Sequence, residues 1–307
     1  MKDVALIFPG QGAQTVGMGK AFYDSVPSAK AVFEKAQSTL GNDLLDVIFN
    51  GSQEKLTQTS YSQPAIVSFS MAALAAFKES PKFKDINPKF TAGLSLGEYS
   101  ALIASGAFSF EEGIRLVERR GAFMEEACSI NKGTMAAIIG FDKDKLKEIC
   151  DQVGAQVANF NSPVQIVISG GVAEVEKACV MIKEAGAKTV IPLEVAGAFH
   201  SSLMAPAVDK FKTELDKITI NPLSIPVVSN VKAVGEIDPG AVADNLPRQI
   251  VSSVLWEDSV RFMVSQGVAD FVEIGPGRVL KGLIRKIDRG LTVQNIETPE
   301  DIEGLVF

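Results

Sequence analysis

The stretch that most constrains the fold lies at residues 90–99 and reads FTAGLSLGEY. It contains the pattern G-x-S-x-G, with a strand-like run before it and a helical run over residues 100–105 after it. The flanking glycines permit a sharp strand-to-helix turn whose strained backbone exposes the hydroxyl of Ser95 at the edge of a sheet. The helix that follows directs unpaired N–H groups toward the same point, where they favour developing negative charge. The pattern predicts a serine nucleophile, with an ordinary glycine-flanked turn as the alternative.

A second glycine-rich segment follows the buried strand predicted over residues 4–8. A dinucleotide-binding fingerprint starting at Gly10 would need a glycine where Thr15 stands, and a P-loop starting at Gly12 would need a lysine where Met18 stands. Both phosphate-binding interpretations therefore fail on spacing. The loop over residues 10–14 is either a plain turn or a ligand contact at the carboxyl end of a strand, where open α/β sheets bind ligands.

Charge and cysteine content narrow the class of protein. The chain of 307 residues has a formal net charge of −7, which argues against binding nucleic acids or membrane surfaces in general. No apolar run approaches the ~20 residues that span a bilayer, and the apolar part of the N-terminal segment is too short for a signal peptide. The three cysteines are widely spaced and form no C-x-x-C pair, which fits a reducing compartment. We expect a cytoplasmic protein without nucleic-acid or membrane partners.

An arginine interrupts the apolar face of a long predicted helix. Ser109 and Glu112 form a capping box that opens this helix, which extends to about Cys128. Arg119 falls on the solvated face, whereas Arg120 falls on the apolar stripe. A buried guanidinium needs an anionic partner, because an isolated buried charge is costly. The partner is either an acidic residue of this chain or the carboxylate of a substrate, which arginine binds bidentately.

The pattern of elements changes between residues 128 and 197. Strand-like and helical runs follow in the order β-α-β-β-α-β, which is the ferredoxin-like arrangement. These runs cover residues 134–140, 143–152, 156–161, 165–169, 173–185 and 188–195. We predict a small α+β domain of residues 128–197, inserted into a larger α/β domain of residues 1–127 and 198–307. A cleft between two domains is a favoured place for a site.

The chain contains one histidine, His200. A single histidine has either a structural role or, if Ser95 is activated by an imidazole, the role of its base, since no other imidazole exists. The aspartates between the two residues all fall in the small-domain segment, and none is placed like the acid of a triad. They are Asp142, Asp144 and Asp151. A serine–histidine dyad is therefore favoured over a triad.

Several segments together resemble one enzyme family. The segments are FPGQGAQ at 8–14, GLSLGEYSAL at 93–102, RRGAFM at 119–124, NFNSP at 159–163, GAFHSSLM at 197–204, RQIVSSVLW at 248–256 and EIGPG at 273–277. In this order they resemble the malonyl-CoA:acyl-carrier-protein transacylases of fatty-acid synthesis and the related acyltransferase domains of polyketide synthases. The resemblance covers nearly the whole chain.

The resemblance implies a fold, a reaction and partners. The fold would be an α/β-hydrolase-like large domain, a parallel sheet flanked by helices, with a ferredoxin-like insert. The reaction would move a malonyl group from malonyl-CoA to the phosphopantetheine thiol of acyl carrier protein through a malonyl-serine intermediate. It would need no cofactor and no metal, and the protein would be a monomer. The alternatives are a serine thioesterase or hydrolase using the same pair, and a non-catalytic protein that binds the carrier.

The resemblance also assigns the groups of the reaction. Ser95 would be the nucleophile and His200 the base. The backbone N–H groups of Gln11 and Leu96 would form the oxyanion hole. Gln249 would hold the histidine through its main-chain carbonyl and lie near the substrate.

Further residues would select the acyl group. Arg120 would clamp the malonyl carboxylate, and Asn161 would line the pocket on the small-domain side. Phe199 would crowd a branch at the α-carbon, and an AFHS signature like residues 198–201 accompanies malonyl over methylmalonyl in polyketide acyltransferases. The chain departs from the family at Leu94, where a histidine is usual, so the hydrogen bond of that histidine is absent.

Basic residues are candidates for docking the acidic carrier protein, although charged runs usually form a solvated face. The candidates are Lys188, Lys281, Arg285, Lys286 and Arg289.

Overall fold

The computed structural model describes residues 1–307, which form ten strands and fourteen α-helices. The strands are β1 (Lys2–Phe8), β2 (Ile86–Gly93), β3 (Gly133–Ile139), β4 (Gln156–Ser162), β5 (Gln165–Gly171), β6 (Thr189–Pro192), β7 (Val227–Val228), β8 (Gly235–Glu236), β9 (Asp270–Ile274) and β10 (Thr292–Ile296). The helices are α1 (Lys20–Ser25), α2 (Pro27–Leu40), α3 (Leu44–Asn50), α4 (Gln53–Thr57), α5 (Thr59–Glu79), α6 (Gly97–Ala104), α7 (Phe110–Ile130), α8 (Lys143–Val153), α9 (Val172–Glu184), α10 (Ala205–Leu215), α11 (Pro239–Gln249), α12 (Trp256–Ser265), α13 (Val279–Ile287) and α14 (Pro299–Glu303). Short 3-10 helices lie at Pro81–Asp85 and Ser202–Met204.

The larger sheet has the strand order β10-β9-β1-β2-β7-β8 and is parallel except for the pairing of β8 with β7. Its central strand β1 is buried on both faces. Val4 and Leu6 lie in the core beneath α5 and α7, whereas Ala5 and Ile7 lie in the core beneath α12 and α13. Alternate residues of a strand point to opposite faces, so the sheet is the middle layer of three.

The carboxyl ends of β1 and β2 meet at one edge of this sheet. Phe8 pairs with Gly93 at the end of the two strands, and the Leu94 N–H donates to the Phe8 carbonyl at 3.2 Å. The glycine-rich loop after β1 and the Ser95 turn after β2 are therefore neighbours, as expected for the ligand-binding edge of an open parallel sheet.

The smaller sheet has the order β4-β5-β3-β6 and is antiparallel throughout. With α8 and α9 it forms the β-α-β-β-α-β unit that the sequence predicts, with its own buried core. The predicted fold class is confirmed: a large α/β-hydrolase-like part with a parallel sheet, and a small ferredoxin-like α+β part. Helix α7 continues to Ile130, so the expected boundary at residues 127/128 lies within its last turn, and the domain boundaries stay a prediction.

The two parts of the chain are joined by main-chain hydrogen bonds as well as by the polypeptide. The Phe160 N–H in β4 donates to the Val254 carbonyl at 2.9 Å, and the Val254 N–H donates to the Ala158 carbonyl at 2.8 Å. Strand β4 is thus fixed against the segment that precedes α12, which places its polar residues at the edge of the cleft.

Two details of the chain order differ from the sequence analysis. The strand expected over residues 188–195 is limited to β6, because the following residues form a turn, in which the Val195 N–H donates to the Leu193 carbonyl at 3.0 Å, and pack against the main core. The chain also continues past the basic helix α13 into β10, which extends the large sheet, and α14.

No helix of the structure is both long enough and apolar enough to cross a bilayer.

The glycines around Ser95 are required by close backbone contact. A Cβ atom on Gly93 would lie 2.0 Å from the Gly97 carbonyl carbon, and a Cβ atom on Gly97 would lie 2.1 Å from the Phe8 carbonyl oxygen. Ser95 between them has a φ of 50°, in the left-handed region. The strand, the helix and the neighbouring strand approach so closely that only glycine fits, and this forces the sharp turn.

Gly97→Ala tests this constraint. Because the added methyl group meets rigid backbone, we expect the free energy of unfolding to fall by about 1–3 kcal/mol. Gly282→Ala is the matched control: Gly282 lies in α13 with open space around its Cβ position, so the same change should stabilise by about 0.5–1 kcal/mol. Urea denaturation measures both, and equal effects at the two positions would contradict the packing argument.

Candidate active site

The Ser95 turn is braced by Asn230, a residue beyond the end of β7. The Asn230 side-chain oxygen accepts the Ser95 N–H at 2.7 Å, and its Nδ2 donates to the Gly93 carbonyl at 2.7 Å. One amide therefore spans the turn and satisfies two main-chain groups that the strained φ leaves outside regular structure. The Ser95 hydroxyl stays directed into the cleft.

His200 lies next to this hydroxyl although the residues are far apart in sequence. Its Nε2 is 2.7 Å from Ser95 Oγ, and its Nδ1 is 2.9 Å from the main-chain carbonyl of Gln249. A carbonyl only accepts, so Nδ1 carries the proton and Nε2 of the neutral ring accepts from the serine hydroxyl. This is the tautomer that a general base needs. A carbonyl takes the orienting position that an acid occupies in a triad.

The two expected oxyanion donors border the same cleft. Gln11 and Leu96 both line the cavity in front of Ser95, and the N–H group of neither donates to any group of the protein. The N–H of Ser95 itself is bonded to Asn230. The arrangement leaves two main-chain donors next to the nucleophile for a ligand oxygen, and preorganised donors of this type stabilise an oxyanion.

Arg120 is buried at the same point, with 1% of its surface exposed. Its Nη2 donates to Ser95 Oγ at 3.2 Å and to Gln249 Oε1 at 3.1 Å, and its Nη1 donates to Gln63 Oε1 at 2.9 Å. No acidic side chain lies within 4.0 Å of the guanidinium. Of the two interpretations of this arginine, the internal ion pair is therefore wrong. The guanidinium is held by neutral oxygens and lines the cavity.

The guanidinium is also held from one side by an aromatic ring. Its Cζ lies 5.1 Å from the centroid of the Tyr99 ring, within the range of a cation–π contact. Tyr99 belongs to α6 and is fully buried. Ring and amides together fix the plane of the guanidinium, so its position does not depend on a ligand.

Burial and, to a smaller extent, the positive charge of Arg120 together lower the pKa of His200 to about 4, while the hydrogen bond to Gln249 opposes the shift. The ordinary pKa of a histidine is 6.5. Because the pKa of His200 is lowered well below pH 7, the ring is neutral at that pH and its Nε2 is free to accept a proton.

Three further residues of this site were not predicted from the sequence. Glu98 is buried, and its Oε2 accepts from Gln249 Nε2 at 2.6 Å and from the Asn230 N–H at 3.2 Å. Burial raises the pKa of Glu98 to about 7. Gln63 of α5 and Asn230 carry no local signal, because distant segments bring them to the site. Glu98 does carry one: it stands three positions after Ser95 in the first turn of a helix that is otherwise buried.

A cavity of about 620 Å³ opens from this cluster between the two parts of the chain. Asn161 of β4 and Phe199 both line it, and Asn161 Oδ1 is buried without a hydrogen-bond partner. Leu94 also lines the cavity. It occupies the position where a histidine is usual in the family that the sequence resembles. The lining comprises Gly10, Gln11, Gly12, Gln14, Glu54, Thr57, Gln58, Leu94, Ser95, Leu96, Arg120, Met124, Glu125, Met135, Asn159, Asn161, Val167, Leu193, Glu194, Val195, Ala196, Phe199 and His200.

None of the candidate docking residues lines this cavity. Lys188, Arg285, Lys286 and Arg289 are exposed, whereas Lys281 is half-buried at the start of α13. Lys286 Nζ donates to Gln165 Oε1 at 3.1 Å. Their role in docking stays a prediction.

No group of three or more histidine, cysteine, aspartate or glutamate side chains is arranged to hold a metal ion.

An activated serine at the edge of an α/β sheet, a neutral imidazole and two free main-chain donors define an enzyme of acyl transfer. Residues 5–300 match the family described as the acyl transferase domain. The chain is 47% identical over 308 residues to the malonyl CoA-acyl carrier protein transacylase of Bacillus subtilis (strain 168), an alignment that covers 99% of this chain and 96% of that protein. The transacylase of Staphylococcus aureus (strain MRSA252) is 41% identical, with 99% and 98% covered.

Solved structures agree with these relatives. A malonyl CoA-acyl carrier protein transacylase from Clostridium perfringens matches with a TM-score of 0.92 at 40% identity, covering 99% of this chain and 96% of that one. A malonyl-transacylase in complex with a type II PKS acyl-carrier protein matches with a TM-score of 0.94 at 37% identity, covering 99% and 98%. The chain belongs to the acyl transferase domain family.

The electrostatic effect of Arg120 on His200 is directly measurable, because the chain has a single histidine. A positive charge disfavours the imidazolium, so Arg120→Met should raise the pKa of His200 from about 4 toward its ordinary value. Burial remains in this variant, so the rise should be partial. NMR titration of the one histidine ring measures the shift.

Arg119→Met is the control, since Arg119 is the exposed neighbour on the same helix. It should leave the histidine pKa unchanged. A His200 pKa near 6.5 in the unmodified protein, or equal shifts in both variants, would contradict the described environment.

Proposed function

We propose that this enzyme transfers the malonyl group of malonyl-CoA to the phosphopantetheine thiol of an acyl carrier protein through an ester on Ser95, in fatty-acid synthesis. The observation that carries the proposal is the buried guanidinium of Arg120, which lies 3.2 Å from the serine oxygen and forms no direct ion pair with an acidic side chain of the protein. A malonyl group bound as a thioester has a free carboxylate one methylene group away from its reacting carbonyl. An acetyl group has none.

In the first half-reaction Ser95 Oγ attacks the thioester carbonyl while its proton moves to His200 Nε2. The carbonyl oxygen, now negative, accepts hydrogen bonds from the N–H groups of Gln11 and Leu96. The carbon–sulfur bond then breaks, and the proton on His200 passes to the departing CoA sulfur. General base catalysis contributes about 10²–10⁴-fold, and one oxyanion donor contributes roughly 3–4 kcal/mol.

In the second half-reaction the carrier's thiol gives its proton to His200 and attacks the malonyl ester. The C–O bond to Ser95 breaks, and the proton returns to the serine oxygen. The enzyme is restored after each cycle, so the kinetics are ping-pong. The malonyl-transacylase solved with an acyl-carrier protein supports the choice of acceptor. The residues of this chain supply every proton step, and no bound cofactor takes part in the proposed reaction.

Arg120 gives the first half-reaction its selectivity. A buried charge that loses its partner costs about 3–5 kcal/mol, and about 1.4 kcal/mol corresponds to a factor of ten. An acyl group with a carboxylate is therefore favoured over one without by roughly 10²–10³-fold. Phe199 beside the base limits the space around the α-carbon, and Asn161 offers a polar contact from the small part of the chain.

Substrate binding also prepares the base. The positive charge of Arg120 contributes to the low pKa of His200, and a carboxylate on the guanidinium offsets this charge. The histidine should then become more basic in the malonyl-CoA complex than in the free enzyme, so that it accepts the serine proton more readily when the correct substrate is bound.

Mass spectrometry of the protein incubated with malonyl-CoA tests the proposal. We expect a malonyl increment on the peptide that contains Ser95, and its loss when acyl carrier protein with a phosphopantetheine thiol is added. Ser95→Ala should abolish the increment. Rapid appearance of free malonate without the carrier would indicate a hydrolase, and the absence of any increment would indicate a non-catalytic carrier-binding protein.

Replacing the guanidinium should invert the preference between acyl groups. Arg120→Ala is expected to lower the rate of Ser95 malonylation by roughly 10²–10³-fold and to increase acetylation from acetyl-CoA, because the buried charge that disfavours the acetyl group is gone. Arg119→Ala, at the exposed neighbour, should change neither rate. Single-turnover acylation with the two thioesters measures both, and an unchanged preference in Arg120→Ala would rule out the clamp.

A further inference from the structure

Glu98 lies at the centre of the hydrogen bonds around Ser95 and has no part in the proton transfers described above. Its Oε2 accepts from Gln249 Nε2 at 2.6 Å and from the Asn230 N–H at 3.2 Å. Both partners hold the nucleophile: Gln249 Nε2 also donates to the Ser95 carbonyl at 3.0 Å, and Asn230 accepts the Ser95 N–H at 2.7 Å. One buried carboxyl oxygen of Glu98 thus accepts hydrogen bonds from Gln249 and Asn230, and both of these residues bind the main chain of Ser95.

The bond to Gln249 decides which way its amide points. A glutamine amide has two orientations that exchange oxygen and nitrogen. In the observed one, Oε1 accepts from Arg120 Nη2 at 3.1 Å while Nε2 donates to Glu98. In the opposite orientation an N–H donor would face the guanidinium and an oxygen would face the carboxyl oxygen. Glu98 and Arg120 therefore fix the amide from its two ends.

The same glutamine also holds the base, since its main-chain carbonyl accepts from His200 Nδ1 at 2.9 Å. The position of Gln249 consequently links the nucleophile, the base and the clamp. We propose that Glu98 is a positioning residue of this site: its Oε2 locks the Gln249 amide so that Oε1 holds the Arg120 guanidinium in place for a substrate carboxylate and the main chain holds His200. This inference rests on the proposed function.

The acceptor atom, rather than the negative charge, performs this role. Burial raises the pKa of Glu98 to about 7, so both protonation states are populated near neutrality, and Oε2 accepts in either state when the proton is on the other oxygen. A carboxamide offers the same oxygen at the same reach. An aspartate keeps the charge but ends one methylene short of Gln249.

Two variants separate the bond from the charge. Glu98→Gln keeps the acceptor and removes the charge, and we expect its rates of Ser95 acylation by malonyl-CoA and acetyl-CoA to stay within about threefold of the unmodified enzyme. Glu98→Asp keeps the charge and loses the bond, and we expect its malonyl-to-acetyl preference to fall by about tenfold or more. Single-turnover mass spectrometry of the Ser95 peptide measures both rates.

Glu273→Gln is the matched control for a structural role. Glu273 is also a buried carboxyl, but it accepts from the N–H groups of Leu280 and Lys281 at the start of α13, away from the cavity. This variant should lower the melting temperature and leave the malonyl-to-acetyl preference unchanged. If Glu98→Asp likewise changes only the melting temperature, or if Glu98→Gln loses as much preference as Glu98→Asp, the positioning role is overturned.

Phenylmethanesulfonyl fluoride gives a readout independent of the malonyl substrate, because it sulfonylates an activated serine and releases fluoride. We expect Glu98→Asp to slow the labelling of Ser95 by about tenfold and Glu98→Gln to leave it within about threefold. Lack of malonylation in the unmodified enzyme would contradict the proposed function, whereas equal sulfonylation of all three proteins would contradict the role of Glu98.

Discussion

A buried guanidinium without an acidic partner is the constraint on which the rest of the site depends. Arg120 is held by the side-chain oxygens of Gln63 and Gln249, by the Ser95 hydroxyl and by the ring of Tyr99. Neutral oxygens orient a charge but do not neutralise it. The nearest carboxyl group, Glu98, reaches the guanidinium only through the Gln249 amide and has a pKa raised to about 7, so the free enzyme keeps a positive charge without a direct ion-pair partner in its interior. That charge lowers the pKa of His200 and favours an acyl group that brings its own carboxylate. Arg120 therefore acts on both the selectivity and the base, although burial is the larger cause of the low pKa of His200.

The fold holds these groups in place because each of them comes from a rigid element. Ser95 stands on a turn that two glycines press against β1, and Arg120 projects from a long helix with a complete capping box. His200 follows the small part of the chain and also has a positive φ, 58°. The backbone is strained at the nucleophile and at the base, and the packing of the surrounding core keeps it in this conformation. Chemistry at the cleft depends on this preorganisation, since little has to move when the substrate binds.

The sequence alone predicted the parts of the site that local patterns encode. The G-x-S-x-G turn, the capping box and the apolar stripe interrupted by Arg120 are readable because each depends on residues a few positions apart. The β-α-β-β-α-β order was readable for the same reason, whereas β10 and α14 were missed at the end of the chain. The partners of the guanidinium were not predictable, because Gln63 and Gln249 come from distant helices. Glu98 was missed because an acidic residue at the start of a helix ordinarily has a capping role in solvent.

A crystal structure of the malonyl-enzyme, trapped on Ser95 in the absence of carrier protein, would show directly whether Arg120 binds the substrate carboxylate. We expect an ester at Ser95 Oγ whose free carboxylate accepts two hydrogen bonds from Arg120 at about 2.7–2.9 Å, with the ester carbonyl oxygen directed at the N–H groups of Gln11 and Leu96. A carboxylate that points into the open cavity, while the guanidinium keeps only its neutral partners or turns to Glu98, would contradict this expectation.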